Sequence, residues 1–217
     1  MINRSHNQAG GGATTNRHGL LFEQRVSLST ILGTSFEPEL YLNGQNVYVV
    51  SESNQQLIIG SFFKKYGFIR DFIAPNFPDA IQRRPRHKIE IAEDTWSKTM
   101  EPDNVLFLGN TVNIIEIKYQ QVKGTVDEKL QTCEFKKNQY ERLLPTYAVN
   151  YIYFLSSWYL DPQYRDVLNF IYSKGCFYFF PETPEGRKEV IDFFAPQVSR
   201  AIASATGQQT PHLFPPQ

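Results

Sequence analysis

Pro102-Asp103-Asn104-Val105-Leu106-Phe107-Leu108-Gly109-Asn110-Thr111-Val112-Asn113-Ile114-Ile115-Glu116-Ile117-Lys118 holds two β-rich runs on either side of Gly109-Asn110, a dipeptide that two-residue hairpin loops accept. With those two residues as the turn, paired positions sum to 219, which sets Asp103 opposite Glu116. Directly paired side chains in an antiparallel ladder sit about 4.5–5.5 Å apart at Cβ. The strand period of two puts Lys118 on the same face as Glu116. Two acids and a lysine therefore converge on one spot. Like charges directly opposite each other are destabilising, so the arrangement calls for a cation, a shared proton or the lysine. A hard divalent ion is the natural compensator. Mg²⁺ is commonly held by one or two carboxylates with waters and substrate phosphate, and the Ile117 carbonyl adds a further oxygen. Such an ion polarises a phosphodiester, and Lys118 stabilises charge on the phosphate or orients the nucleophile. The outline is that of a phosphodiester-hydrolysis site.

The same segment is apolar on both faces. Val105, Phe107, Val112 and Ile114 share a side with the acids, and Leu106, Leu108, Ile115 and Ile117 point the other way. Strands of this kind lie inside a sheet covered on both sides. The structural alternative makes Asp103 a turn residue after Pro102 and Glu116/Lys118 an exposed strand-end ion pair, worth only about 0–1 kcal/mol.

The rest of the chain narrows the chemistry. Its 217 residues suit one domain with small extensions, and 17 Phe and 12 Tyr are ample for a core. Lys plus Arg equals Asp plus Glu at 22 each, so net charge announces neither a nucleic acid nor a membrane, and any such preference must come from local patches. No run of about 18 apolar residues is present, and the N-terminal residues have no apolar stretch resembling a signal peptide. The expectation is a cytoplasmic protein with no membrane partner. Cys133 and Cys176 lack any CxxC arrangement, and His6, His18, His87 and His212 form no ligand pair, so carboxylates and lysine must carry the chemistry.

Outward from the hairpin, residues 1–15 are expected to form a flexible arm, 16–205 a single domain and 206–217 a loose tail. Leu20, Leu21, Leu28, Ile31 and Leu32 recur at helical spacing after Asn16, a candidate N-cap, with Glu23, Ser27 and Thr30 on the polar side. Asn43-Gly44 predicts a hairpin over about 39–50. Residues 57–73 fit strand or helix equally. Arg83, Arg84, Arg86, His87 and Lys88 crowd into six residues around Pro85 and predict a basic loop suited to phosphates or base edges. Thr125-Val-Asp-Glu128 is a capping box that predicts a helix over about 126–144. Its N-terminus follows the hairpin closely, which brings Lys123, Lys129, Lys136 or Gln139 within reach of a phosphate backbone. AVNYIYFLSS and GCFYFF then read as buried strands.

At Pro102-Asp103 and Glu116-Ile117-Lys118, separated by 12 residues, the chain resembles the PD-(D/E)xK nuclease superfamily, and in particular prokaryotic type II restriction endonucleases. The resemblance spans about residues 16–180. It implies an α/β fold with a restriction-endonuclease-like core, a central mixed β-sheet flanked by helices on both faces. It also implies Asp103, Glu116 and the Ile117 carbonyl as metal ligands, Lys118 as catalytic lysine, and Glu23 on the preceding helix as the residue that completes the site. The cofactor implied is Mg²⁺, with Mn²⁺ as substitute and no organic cofactor. The implied activity is site-specific cleavage of double-stranded DNA by a homodimer, since cutting both strands of a two-fold site is simplest with two related active sites. Arg83, Arg84, Arg86, His87, Lys88 and Lys123 are the candidate DNA contacts. The rivals are a structure-selective repair or junction nuclease and a non-catalytic DNA-binding protein that keeps the fold.

Overall fold

The computed structural model describes residues 11–50, 54–83, 89–91, 100–121 and 126–207. Seven strands form a mixed sheet in the order β1-β2-β3-β6-β7-β8-β9, and β4 (Ile81–Arg83) pairs with β5 (Ile89–Ile91) in a separate two-stranded sheet. Its centre is the hairpin of β6 (Asn104–Leu108) and β7 (Thr111–Lys118), whose register runs from Asn104↔Ile115 to Leu108↔Thr111. That is the register expected from a Gly109-Asn110 turn, and Gly109 takes the left-handed φ of 57° that such a loop needs. Every residue of β6 is buried, as two-sided coverage requires.

The two faces carry separate cores. Val105, Phe107, Val112 and Ile114 pack with Phe68, Tyr140 and Tyr151, while Leu106, Leu108, Ile115 and Ile117 pack with Phe22, Leu28, Val190 and Phe194. The fold is α/β with a seven-stranded mixed sheet and helices. β8 (Ala148–Leu155) lies parallel to β7, and β9 (Phe177–Phe179) lies parallel to β8. On the other side β3 (Gln56–Phe63), β2 (Asn46–Val50) and β1 (Leu40–Asn43) continue antiparallel.

The first helix, α1 (Gly11–Arg25), begins before Asn16, so Asn16 is not an N-cap. The chain breaks at Val26 and restarts as α2 (Leu28–Leu32), capped by Ser27, whose hydroxyl accepts from the Thr30 N–H. Leu20 and Leu21, expected in the core, are exposed, and Phe22 and Val26 are buried instead. In the first hairpin the two loop residues are Gly44 and Gln45, because Asn43 still pairs with Asn46. Residues 57–73 divide: β3 ends at Phe63, and Phe68–Ile73 form a π-helical turn running into α3 (Ala74–Asn76). The predicted helix over 126–144 is two, α4 (Val126–Leu130) and α5 (Cys133–Leu143), separated by a turn at Gln131-Thr132. The Thr125 side of the expected capping box lies outside the described residues, as do 1–10 and 208–217.

The two longer helices near the C-terminal end of the described residues carry no expectation from the sequence. α6 (Arg165–Ser173) precedes β9, and α7 (Pro184–Ala205) closes the sheet face opposite α5. Thr183 caps α7 by accepting from the Gly186 N–H, and Pro184 fills the first helical position, where no N–H is needed. Val190, Phe194, Val198 and Ala201 form its buried stripe. Each large side chain so buried contributes about 1.5–3 kcal/mol. A polar clasp sits within this apolar layer: the fully buried Asn113 amide donates to Gln197 Oε1 at 2.9 Å and to the Leu106 carbonyl at 3.2 Å, and Asn113 Oδ1 accepts from Asn150 at 2.9 Å. No helix among the described residues is long and apolar enough to cross a membrane.

Candidate active site

The paired hairpin stops one residue short of Asp103, since Asn104↔Ile115 is its last backbone pair. Asp103 is tied to β7 through its side chain: Asp103 Oδ2 accepts the Ile117 N–H at 2.8 Å. Lys118 then binds the two acids together. Its ammonium donates to Glu116 Oε2 at 2.5 Å and stands 3.7 Å from Asp103 Oδ2. Asp103, Glu116 and Lys118 thus meet at the end of the hairpin, on the face the strand period assigns. The exposed strand-end pair of the structural alternative does not fit, because Glu116 is 8% exposed.

A second lysine reaches the same carboxylate. Lys136, on α5, lies with Nζ 3.5 Å from Glu116 Oε1, so each oxygen of Glu116 faces an ammonium group. α5 lies over β8 and carries the buried Tyr140 into the core beside Tyr151 and Phe68. That packing directs one turn of the helix at the site. Lys129 is exposed, and Gln139 is buried under α5, so Gln139 does not present itself to an external backbone.

Glu23 projects from α1 toward Lys65, with 3.3 Å between Oε2 and Nζ. Glu23, Lys64, Lys65, Asp103, Asn104 and Ile117 line one cleft of about 440 Å³, so Glu23 and Asp103 share a cavity. Lys65 is held there at φ 47°, an uncommon left-handed conformation for a lysine, with its N–H on the Pro102 carbonyl. The segment preceding Asp103 is thereby anchored to the end of β3. Nothing in the sequence around Lys65 signals this contact, which spans 42 residues to Glu23.

Electrostatics separate the two acids. Burial pushes the Asp103 carboxyl above its usual range; Lys118 and the Ile117 N–H pull it back only in part, and the charges of Glu116 and Glu23 push it further up. Burial acts on Glu116 in the same direction, but Lys118 and Lys136 outweigh it and hold Glu116 below the usual range. Under Glu116, the phenols of Tyr140 and Tyr151 are pushed well above their usual value by burial first and by the Glu116 charge next. They stay neutral, and they give the site a buried aromatic floor that excludes water, a low-dielectric surrounding in which charge interactions are strong.

The donor set fits a hard divalent cation. Among the described residues no three His, Cys, Asp or Glu side chains gather as a metal cluster, so the ligands available are two carboxylates and main-chain oxygen. Ile117 presents its N–H to Asp103, away from β8, and the C=O of a strand residue points to the same side as its N–H. Lys118 C=O points the other way and accepts from Ser156 of the β8 end. Asp103, Glu116 and the Ile117 carbonyl are therefore hard oxygens disposed around the end of one hairpin, the kind of partial shell that Mg²⁺ accepts with waters and phosphate completing it.

Of the expected DNA contacts, Arg84, Arg86, His87, Lys88 and Lys123 lie outside the described residues, and for Arg83 only its place at the end of β4, paired with Ile89, is described. A wider cleft of about 870 Å³ opens just beyond Lys118, lined by Arg25, Tyr119, Gln121, Ser157, Trp158 and Glu182. It lies at the carboxyl ends of the parallel strands β7 and β8, where open α/β sheets bind ligands. The chain matches no family model, no curated protein and no solved structure.

Proposed function

We propose that the chain is a divalent-metal-dependent endonuclease with a restriction-endonuclease-like core, hydrolysing phosphodiester bonds of double-stranded DNA at a specific site. The observation that carries this reading is the Asp103–Lys118–Glu116 cluster at the end of the β6–β7 hairpin, with Glu116 buried, Asp103 and Lys118 half-buried, and the Ile117 main chain beside it. Asp103, Glu116 and the Ile117 carbonyl are the residues to hold Mg²⁺ or Mn²⁺, which when bound supplies Lewis acidity toward a phosphoryl oxygen. Hydrolysis forms one P–O bond from water and breaks one P–O bond to the sugar, and negative charge accumulates on the non-bridging oxygens. Lys118 donates hydrogen bonds to that developing charge. Glu23, across the cleft from Asp103, accepts a hydrogen bond from the attacking water. One such cluster among the described residues supports a homodimer acting on the two strands of a two-fold DNA site.

Incubation of the purified chain with unmethylated phage-length duplex DNA tests the reading. Discrete fragments are expected with Mg²⁺ and none with EDTA. Uncut duplex, with cutting of branched or mismatched DNA, would show a structure-selective nuclease instead, and no cutting of either by a folded chain would leave a non-catalytic protein.

A further inference from the structure

Resting on the nuclease reading, we infer that Lys136 is a second catalytic lysine that binds a non-bridging oxygen of the scissile phosphodiester from the side of α5. Lys118 grips Glu116 at 2.5 Å, but Lys136 reaches the other oxygen only at 3.5 Å, the long limit of a hydrogen bond and well beyond the about 2.7–2.9 Å of a tight charge-assisted one. An ammonium group has three N–H donors, and this contact uses at most one. The Lys136 side chain is 24% exposed, so it is committed to the site yet open to a ligand.

Helix stability gives no reason for a cation here. Lys136 stands at the end of the first turn of α5, which begins at Cys133, and a positive charge near a helix N-terminus opposes the macrodipole. Its neighbour Lys137 faces elsewhere, donating to the Gly175 carbonyl at 3.2 Å and pairing with Glu141. Charge balance points the same way. The paired groups of the site are Glu23, Asp103 and Glu116 against Lys65, Lys118 and Lys136, which cancel. A dication on the carboxylates would leave an excess of two positive charges, which matches the two negative charges of a phosphodiester attacked by hydroxide once the attacking water's proton has passed to solvent. Without Lys136 that balance falls one charge short. With Glu116 held by a cation, the donors of Lys136 would be free for the phosphate.

The test compares the wild-type chain with Lys136→Met, Lys136→Arg and, as a control on the same helix, Lys137→Met. Single-turnover cleavage of supercoiled plasmid in Mg²⁺ is measured, with the affinity for a short labelled duplex in Ca²⁺ over a series of KCl concentrations. Loss of a donor to developing charge lowers rates about 10²–10³-fold, and that loss is expected for Lys136→Met, with partial recovery in Lys136→Arg and a wild-type rate in Lys137→Met. One phosphate contact fewer lowers the slope of log affinity against log salt by about 0.9. A Lys136→Met chain that cleaves like wild type overturns the inference, and so does one that loses thermal stability and rate with an unchanged salt slope, because that is a structural ion pair. A wild-type chain that cleaves neither the plasmid nor phage-length or branched DNA overturns the nuclease reading and this inference together; a cleaving wild type with an unimpaired Lys136→Met overturns this inference alone.

Discussion

Asp103 Oδ2 accepts the backbone N–H of Ile117 at 2.8 Å and so continues, with a side chain, the ladder that its own main chain has left. This one bond fixes the acid against the strand that carries Glu116 and Lys118. It also explains how an acid can sit largely buried with its pKa raised: the hydrogen bond and Lys118 offset only part of the desolvation.

The two acids should respond to neutralisation with opposite signs. A carboxyl whose folded pKa is raised costs stability at neutral pH, and that cost fades as pH falls through the folded value and is gone below the ordinary value of about 3.9. Asp103→Asn keeps an acceptor for the Ile117 N–H and removes the cost, so it should raise Tm at pH 7. Glu116 is held below its usual range, so its contribution is fully present above about 4.3 and is lost as pH falls through the depressed value. Glu116→Gln should lower Tm at pH 7. Thermal melts across the acid range check both, and equal signs for the two variants would contradict the electrostatics described.

Divalent ions should stabilise the chain by mass action. At a concentration of a hundred times Kd the gain is about 2.7 kcal/mol. Calorimetric melts in Mg²⁺ or Mn²⁺ should show an upward shift for wild type and little for Asp103→Asn or Glu116→Gln. A shift that survives in both variants would place the ion elsewhere.

Gly60 marks a packing limit in the sheet. A Cβ added there would stand 2.0 Å from the Phe107 carbonyl oxygen, which is backbone and cannot swing aside. β3 and β6 must part for Gly60→Ala to fold, so the variant should lose at least the about 1–3 kcal/mol typical of overpacking. Urea unfolding measures it, and a loss under 0.5 kcal/mol would mean that the strand separates more easily than its neighbours suggest.

The Asn113 clasp should behave as a unit. Asn113→Ala leaves the buried Gln197 oxygen and the partly buried Asn150 amide without their partner, at about 1–3 kcal/mol for a buried polar group so stranded. The expected loss is therefore larger than for Asn150→Ala, whose amide is only partly buried. Chemical denaturation of the two single variants and the double variant would show coupling, and strict additivity would deny it.

The parts of the molecule legible in the sequence are those that a local pattern determines. The Gly109-Asn110 turn sets the hairpin register, and alternation assigns Glu116 and Lys118 to one face, because a strand's period is a local property. The helix break at Gln131-Thr132 was hidden by a capping box and good helix formers on either side. Leu20 and Leu21 looked like core because periodicity gives a helix two candidate faces, and only the position of the sheet selects Phe22 and Val26. α7 has a local signal, Thr183-Pro184 followed by Val190, Phe194 and Val198 at helical spacing, the N-cap, first-turn proline and apolar stripe of a helix. Lys136 and Lys65 had none pointing to the acids. Their contacts with Glu116 and Glu23 join positions 20 and 42 residues apart, and only tertiary packing brings such positions together.

The most direct test of the central claim is the single-turnover rate of plasmid cleavage in saturating Mg²⁺ for wild type beside Glu116→Gln and Lys118→Met, each verified as folded. The account predicts measurable cutting by the wild type, abolished by EDTA, and a loss of at least about a hundredfold in both variants. Wild-type rates in both variants would contradict it, since the hydrolysis would then proceed without the cluster that Asp103, Glu116 and Lys118 form.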